Sequence, residues 1–162
     1  MAVFAYLYLY GINPEVWSAP PPLGETAIIV GIEAAALLAA WGGRRFLASK
    51  EGQLAEDLPW MLEALAATLL VGALYLDVTG WLATGLEPTA NGMGATVFML
   101  SVLQGQVVVV AVIMATYLAF REARGIMTTP TNVTMDIVAR FIMFCALQGM
   151  VFTFLPRVFP GV

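Results

Sequence analysis

The chain has 162 residues, of which 60% are hydrophobic and 11% charged, and its formal charge is −4. This composition has too little polar surface for a water-soluble globule and lacks the clustered Lys and Arg that nucleic-acid binding needs. The sequence also contains no histidine, the side chain that heme, copper, zinc and iron sites most often use. We therefore expect a membrane protein that holds no metal centre of its own.

The first 22 residues differ from the rest of the chain. Residues 2–10 are apolar and rich in tyrosine, and residues 20–22 are three consecutive prolines, which favour a stiff extended backbone. Tyr and Trp side chains favour the boundary between lipid and water. We predict that residues 1–22 form an arm on the membrane surface or on a partner subunit.

Four long apolar runs follow this arm. A helix needs about 20 residues to cross a hydrocarbon core of about 30 Å, and lipid requires that backbone hydrogen bonds be made within the segment. The sequence therefore predicts an all-α bundle of four transmembrane helices in residues 23–162. The predicted spans are residues 23–46, 58–82, 93–120 and 133–155.

The positions of basic residues indicate how the bundle is oriented. Arg44, Arg45 and Lys50 are the loop charges that follow the first run, and Arg121 and Arg124 follow the third. With four spans both loops lie on one side, which the positive-inside rule makes cytoplasmic. Both termini are then expected on the outer side. Asp57, before Pro59, is the expected N-cap of the second helix.

Small residues recur every four positions in these helices, a spacing that lets helix backbones approach closely in lipid. The first helix has the longest such ridge, and Gly105 of the third helix is also expected at a packing position. The ridge consists of Ala27, Gly31, Ala35, Ala39 and Gly43.

Three charged residues fall at similar depths near the inner end. An ionised group near the bilayer centre costs about 2.5–3.5 kcal/mol, so each one needs a partner. Asp136 and Arg140 have the i,i+4 spacing of a helical ion pair, which Glu63 of the second helix could join. We predict a neutralised cluster of Glu63, Asp136 and Arg140.

Glu33 and Gln104 share a level near the middle of the bilayer. Glu33 is either a neutral acid bonded to Gln104, Gln106 or a partner subunit, or a carboxylate for proton uptake or coupling, and the sequence leaves both interpretations open. Asp77 lies closer to the outer end of its helix. We expect its carboxylate to reach water.

The third run begins with Gly-Ala-Thr-Val-Phe at Gly94, has a Gln-Gly pair in its middle and ends in Phe-Arg-Glu-Ala-Arg-Gly at Gly125. This pattern resembles the penultimate helix of subunit III of heme-copper (cytochrome c type) oxidases. The last helix is similar too, with an acidic residue at Asp136 and an aromatic-Pro-Gly end. The matching positions are Gly94, Thr96, Phe98, Gly105, Thr128, Thr129, Pro130, Asp136 and Ala139.

The chain also departs from the family pattern. The resemblance runs from about Gly24 to Gly161 and covers the four helices that end the seven-helix form, so the lipid-holding cleft and buried carboxylate of the family's first helices are not carried over. Polar family residues, three of them histidines, are replaced here by Gly80, Gln104, Val107, Met143 and Ala146.

The resemblance implies a non-catalytic subunit in a prokaryotic cytoplasmic membrane. Such a subunit packs on a catalytic oxidase subunit, protects its heme and copper centre and supports proton uptake. Heme and copper then belong to the partner, and this chain contacts lipids and other subunits. Glu33 and the ridge are candidates for the partner-facing side, and the predicted cluster of Glu63, Asp136 and Arg140 for the proton-uptake side.

Two other functions fit the same features. A small proton-coupled transporter would use Glu33 in the first span and would need an aromatic-lined cavity around it. An anchor or assembly subunit of another respiratory or oxygenase complex would use the ridges for packing without any role for protons.

Overall fold

The computed structural model describes residues 23–48, 54–87, 89, 92–124 and 133–158, and the predicted arm at residues 1–22 lies outside them. Each of the four described helices is long and apolar enough to cross a membrane. The prediction of an all-helical, four-span chain is thereby confirmed. The helices are α1 (Leu23–Ala48), α2 (Leu54–Ala83), α3 (Gly92–Ala123) and α4 (Val133–Val158).

Two helix boundaries differ from the sequence expectation in ways that matter. Helix α2 begins at Leu54 and continues through Pro59, so the prediction of an N-cap at Asp57 was wrong. Pro59 is the sixth residue of α2, so its missing N–H removes one backbone hydrogen bond from the second turn of the helix. Helix α4 continues through Pro156 to Val158, which places Arg157 inside the helix.

The helices form an antiparallel bundle in which α1 packs on α2 and α4, and α3 packs on the same two helices. Helices α2 and α4 also touch across the middle, while α1 and α3 occupy opposite corners. The end of the bundle that holds the last turn of α1 is called the Arg44 end. The end that holds the last turn of α4 is called the Arg157 end.

The interior of the bundle is made of two groups of apolar side chains. Near the Arg157 end, the side chains of Trp81, Met93, Val97 and Leu100 pack together. The rest of the interior is dominated by alanine, while large side chains such as Leu, Phe and Val lie on the exposed surface. Small residues inside and large ones outside are expected where helices associate by close packing within lipid. The buried alanines include Ala36, Ala40, Ala66, Ala67, Ala111, Ala115 and Ala146.

The small-residue ridge of α1 does not face a single neighbour. Four residues turn a helix by about 400°, so an i,i+4 ridge rotates by about 40° at each step. Ala27, Gly31 and Ala35 are exposed, Ala39 is half-buried and Gly43 is buried against α2. Only the part near the Arg44 end is used within the bundle.

At Gly43, the backbones of α1 and α2 approach each other closely. A Cβ atom at Gly43 would lie 3.0 Å from the carbonyl oxygen of Pro59, and a backbone atom cannot move aside as a flexible side chain can. At the preceding Gly42, the same atom would lie 3.8 Å from Cδ1 of Leu62, an ordinary contact distance. The spacing of α1 and α2 therefore depends on Gly43.

These neighbouring glycines provide a matched test of the packing. We expect Gly43→Ala to lower the free energy of unfolding by about 1–3 kcal/mol relative to Gly42→Ala, because only the first overpacks a backbone contact. Gly42→Ala should be neutral or stabilising by up to about 1 kcal/mol, since alanine favours helix. Unfolding in detergent micelles, followed by circular dichroism, measures both. Equal stabilities would contradict the close approach at Gly43.

Candidate functional site

Buried polar side chains from all four helices meet inside the bundle near the Arg157 end. They form the polar cluster, which is the candidate functional site because lipid provides no water to satisfy such groups. Its members are Glu33 from α1, Asp77 from α2, Ser101 and Gln104 from α3, and Thr153 and Arg157 from α4.

The strongest interaction in the polar cluster is an ion pair between α2 and α4. Nη1 of Arg157 lies 2.5 Å from Oδ1 of Asp77, and their side chains are 0% and 12% exposed. The hydroxyl of Ser101 donates a longer, 3.4 Å hydrogen bond to Oδ2 of Asp77. The expectation that Asp77 reaches water was wrong, because α4 extends far enough to deliver a buried arginine to it.

Arg157 is enclosed by further contacts. Its Nη1 also donates to the carbonyl oxygen of Thr153 at 3.0 Å, and its guanidinium lies 4.9 Å from the ring centroid of buried Trp81, within the range of a cation–π interaction. A Cβ atom at Gly80 would lie 3.5 Å from Glu25 and 3.8 Å from Arg157. The missing side chain at Gly80 therefore leaves room for both charged groups beside α2.

Glu33 faces the interior of the bundle and is 3% exposed. Its Oε1 accepts a 3.5 Å hydrogen bond from the hydroxyl of Thr153. The expectation that Glu33 faces a partner subunit was wrong, because Gly31 and Ala35 take the exposed side of α1 and Glu33 lies on the opposite side. A Cβ atom at Gly149 would collide with Oε1 of Glu33, so glycine at this height lets the carboxyl group of Glu33 lie where it does.

Gln104 lies beside Glu33, as their common level predicted. A Cβ atom at Gly149 would also lie 2.8 Å from Nε2 of Gln104, and this amide donates to the carbonyl oxygen of Cys145 at 3.0 Å. Gln106 is exposed on the outer face of α3, where it cannot form a hydrogen bond with Glu33. At Gly105, a Cβ atom would make only an ordinary 3.6 Å contact with Leu74.

The polar cluster surrounds a cavity of about 10 Å³, which is room for about one water molecule. Aromatic and aliphatic side chains line it as well. It is lined by Glu33, Leu74, Asp77, Trp81, Val97, Ser101, Gln104, Phe152, Thr153 and Pro156.

A second charged group lies at the Arg44 end. Oδ1 of Asp136 lies 2.6 Å from Nε of Arg44, and its Oδ2 lies 2.8 Å from Nη2 of Arg140. The predicted pair of Asp136 and Arg140 is thus present, and Arg44 takes the place expected for Glu63. Glu63 is buried, and neither of its carboxylate oxygens has a hydrogen-bond partner among the described residues.

Sequence reasoning missed Arg44, Arg157 and Gly149. Arg44 was counted only as a loop charge, and Arg157 lay beyond the predicted end of the fourth span. A signal for Arg157 was present in its spacing from Thr153, since residues four apart share one face of a helix. The role of Gly149 could not be read from the sequence because it depends on which helix faces it.

No protein-family model, curated protein or solved structure matches this chain. Within the described residues, no group of three or more His, Cys, Asp and Glu side chains is placed to hold a metal ion. The function is therefore argued from the sequence pattern and from the geometry of the chain itself.

The buried ion pair yields a prediction about stability. Arg157→Met or Asp77→Leu should each lower the free energy of unfolding by about 3–5 kcal/mol, because each leaves one uncompensated buried charge. The double variant should be more stable than either single variant, since it removes both charges. Unfolding of the four proteins in micelles gives the coupling free energy. Additive losses would show that the two charges do not interact.

The Arg44 end yields a contrasting prediction. The double-mutant cycle of Arg44→Gln with Asp136→Asn should give a coupling of up to about 1 kcal/mol, as expected for partly exposed ion pairs. The cycle of Glu63→Gln with Arg140→Gln should give a smaller coupling, because the side chain of Arg140 is 62% exposed and pairs with Asp136. If the coupling between Glu63 and Arg140 is larger than that between Arg44 and Asp136, the cluster predicted from the sequence is correct.

Proposed function

We propose that this chain is a non-catalytic transmembrane subunit, similar to subunit III, of a heme-copper terminal oxidase in a prokaryotic cytoplasmic membrane. In this proposal the chain packs on the catalytic subunit, which carries heme and copper, and it also contacts other subunits and lipids. The Arg44 end faces the cytoplasm, in accord with the positive-inside rule, and both termini lie outside.

The observation that carries the proposal is the pattern from Gly94 to Gly125. Three of the positions that resemble the family are packing positions at the start of α3: Gly94 and Thr96 are buried, and Phe98 packs on the apolar cluster at the Arg157 end. Positions used for packing between helices are what a supporting subunit requires.

The outer surface of α1 supports a role in assembly. Ala27, Gly31 and Ala35 leave a shallow strip on this helix, and a Cβ atom at Gly31 would meet nothing within 4 Å. Larger side chains of α1, such as Ile28 and Leu38, are exposed beside this strip. A shallow strip allows a second helix to approach closely, so we place the contact with the catalytic subunit on this side of α1.

The proposal extends to support of proton uptake at the Arg44 end. Asp136 is partly exposed between two arginines, and Glu63 is buried behind it. Glu63, Asp136 and Arg140 are the candidate groups for this role.

The transporter alternative has less support. Trp81 and Phe152 do line the cavity beside Glu33, but about 10 Å³ holds one water molecule and no organic cation. An anchor or assembly subunit of another complex would use the same strip on α1. It differs from the oxidase subunit in the cofactors of the complex that it joins.

Purification from native membranes in mild detergent, with a visible spectrum, tests the proposal. We expect heme bands to copurify with the tagged chain and to belong to a larger subunit. Gly31→Leu should lower the copurifying heme by about 5- to 150-fold, corresponding to about 1–3 kcal/mol of overpacking in the contact. The fold should be preserved, because Gly31 is exposed.

Ala95→Leu is the matched control, since Ala95 is an exposed small residue of α3, the helix at the corner opposite α1. It should leave the copurifying heme unchanged. A colourless homodimer that transports cations would refute the oxidase subunit, and a complex with other cofactors would favour the anchor. If Gly31→Leu copurifies with as much heme as the wild-type chain, this side of α1 does not contact the catalytic subunit.

A further inference from the structure

The cavity in the polar cluster is bordered by two oxygen atoms that lack hydrogen bonds. Oε2 of Glu33 and Oε1 of Gln104 have no partner among the described residues, and the two residues are 3% and 6% exposed. A buried polar atom left without a partner costs about 1–3 kcal/mol. Both side chains line the same cavity, so one small guest could satisfy both atoms.

The size and chemistry of the cavity select the kind of guest. Buried water molecules occupy polar cavities of about 10–15 Å³ or more in which they make two to four hydrogen bonds. This cavity is about 10 Å³ and is lined by polar groups of Glu33, Asp77, Ser101, Gln104 and Thr153. It therefore suits one water molecule and excludes larger ligands.

The charges around the cavity determine whether the carboxyl group of Glu33 is neutral or ionised. The charged groups that face it are Asp77 from α2 and Arg157 from α4, whereas α3 presents the neutral groups of Ser101 and Gln104. The single positive charge of Arg157 is already paired with Asp77 at 2.5 Å. An ionised Glu33 would add a second, unmatched negative charge in a buried place, which is strongly unfavourable.

We propose that the cavity is a binding site for one water molecule and one exchangeable proton, held by Glu33, Gln104 and Asp77. Neutral Glu33 donates from Oε2 to the water. The water in turn donates to Oε1 of Gln104 and to Oδ2 of Asp77, which otherwise has only the long bond from Ser101. Every polar group that borders the cavity then has a partner.

The proton in this site can move without a change in composition. Transfer from Glu33 to the water, with transfer of a proton from the water to Oδ2 of Asp77, leaves one carboxylate and one neutral acid, so the number of atoms and the total charge are unchanged. A sodium ion is the main competitor for the same oxygens. It would displace the proton but would lie beside the permanent positive charge of Arg157, which repels it. This inference concerns the chain alone and does not depend on the proposed function.

Infrared spectroscopy of the full chain in lipid bilayers tests the site. We expect a C=O stretching band of a protonated carboxylic acid that is lost in Glu33→Gln and shifts after exchange into deuterated water. Gln104→Leu should shift the same band, because the bound water loses an acceptor. Water labelled with ¹⁸O should shift an O–H band of the bound water in the wild-type protein, and in Gln104→Leu this band should lie at a different frequency.

Glu87→Gln is the control, since it changes an exposed carboxyl group at the same end of the bundle and should leave the band unchanged. Glu33→Gln keeps a donor and an acceptor at this position, so its unfolding temperature should stay close to that of the wild type. A band that persists in Glu33→Gln would overturn the proposal. A band that disappears when sodium chloride is added at constant pH would show a sodium site. If ¹⁸O-labelled water shifts no band, the cavity binds no water and the proposal is wrong.

Discussion

The architecture of this chain depends on one constraint, which is that charge placed inside a lipid-embedded bundle must be neutralised by the protein itself. The ion pair of Asp77 and Arg157 meets this constraint across the α2–α4 diagonal. Because Arg157 also holds the carbonyl of Thr153, the same interaction fixes the turn of α4 whose hydroxyl reaches Glu33. The heights of α1, α2 and α4 relative to one another follow from these three contacts.

The sequence was sufficient for the helices and insufficient for their partners. Hydropathy is a local property, so the four spans were predicted close to their observed bounds. The pair of Asp136 and Arg140 was also predicted, because residues four apart on a helix are neighbours whatever the fold. The partners of Asp77 and Asp136 on other helices are separated from them by 80 and 92 residues. Such pairs depend on which helices are adjacent and how each is rotated, and a single sequence does not give this.

The two ends of the bundle handle charge in different ways. At the Arg44 end, Asp136 lies between two arginines that remain partly exposed, so water and lipid head groups share the neutralisation. At the Arg157 end, the arginine has no exposed surface, and an aromatic ring covers one face of its guanidinium. Charges at the first end can rearrange at little cost, whereas those at the second are fixed by packing. Screening by salt therefore acts mainly at the Arg44 end.

Helix α1 connects the interior of the bundle with its surface. Its exposed side carries Gly31 and Ala35, and between them in sequence Glu33 points to the polar cluster. Glycine at position 149 makes room for both Glu33 and Gln104, because an added Cβ atom would displace the ends of both side chains. A helix that packs on Gly31 and Ala35 would press on the turn of α1 that positions Glu33. Since packed interiors transmit small displacements, association at this surface would alter the hydrogen bonds of Glu33 without any direct contact with it.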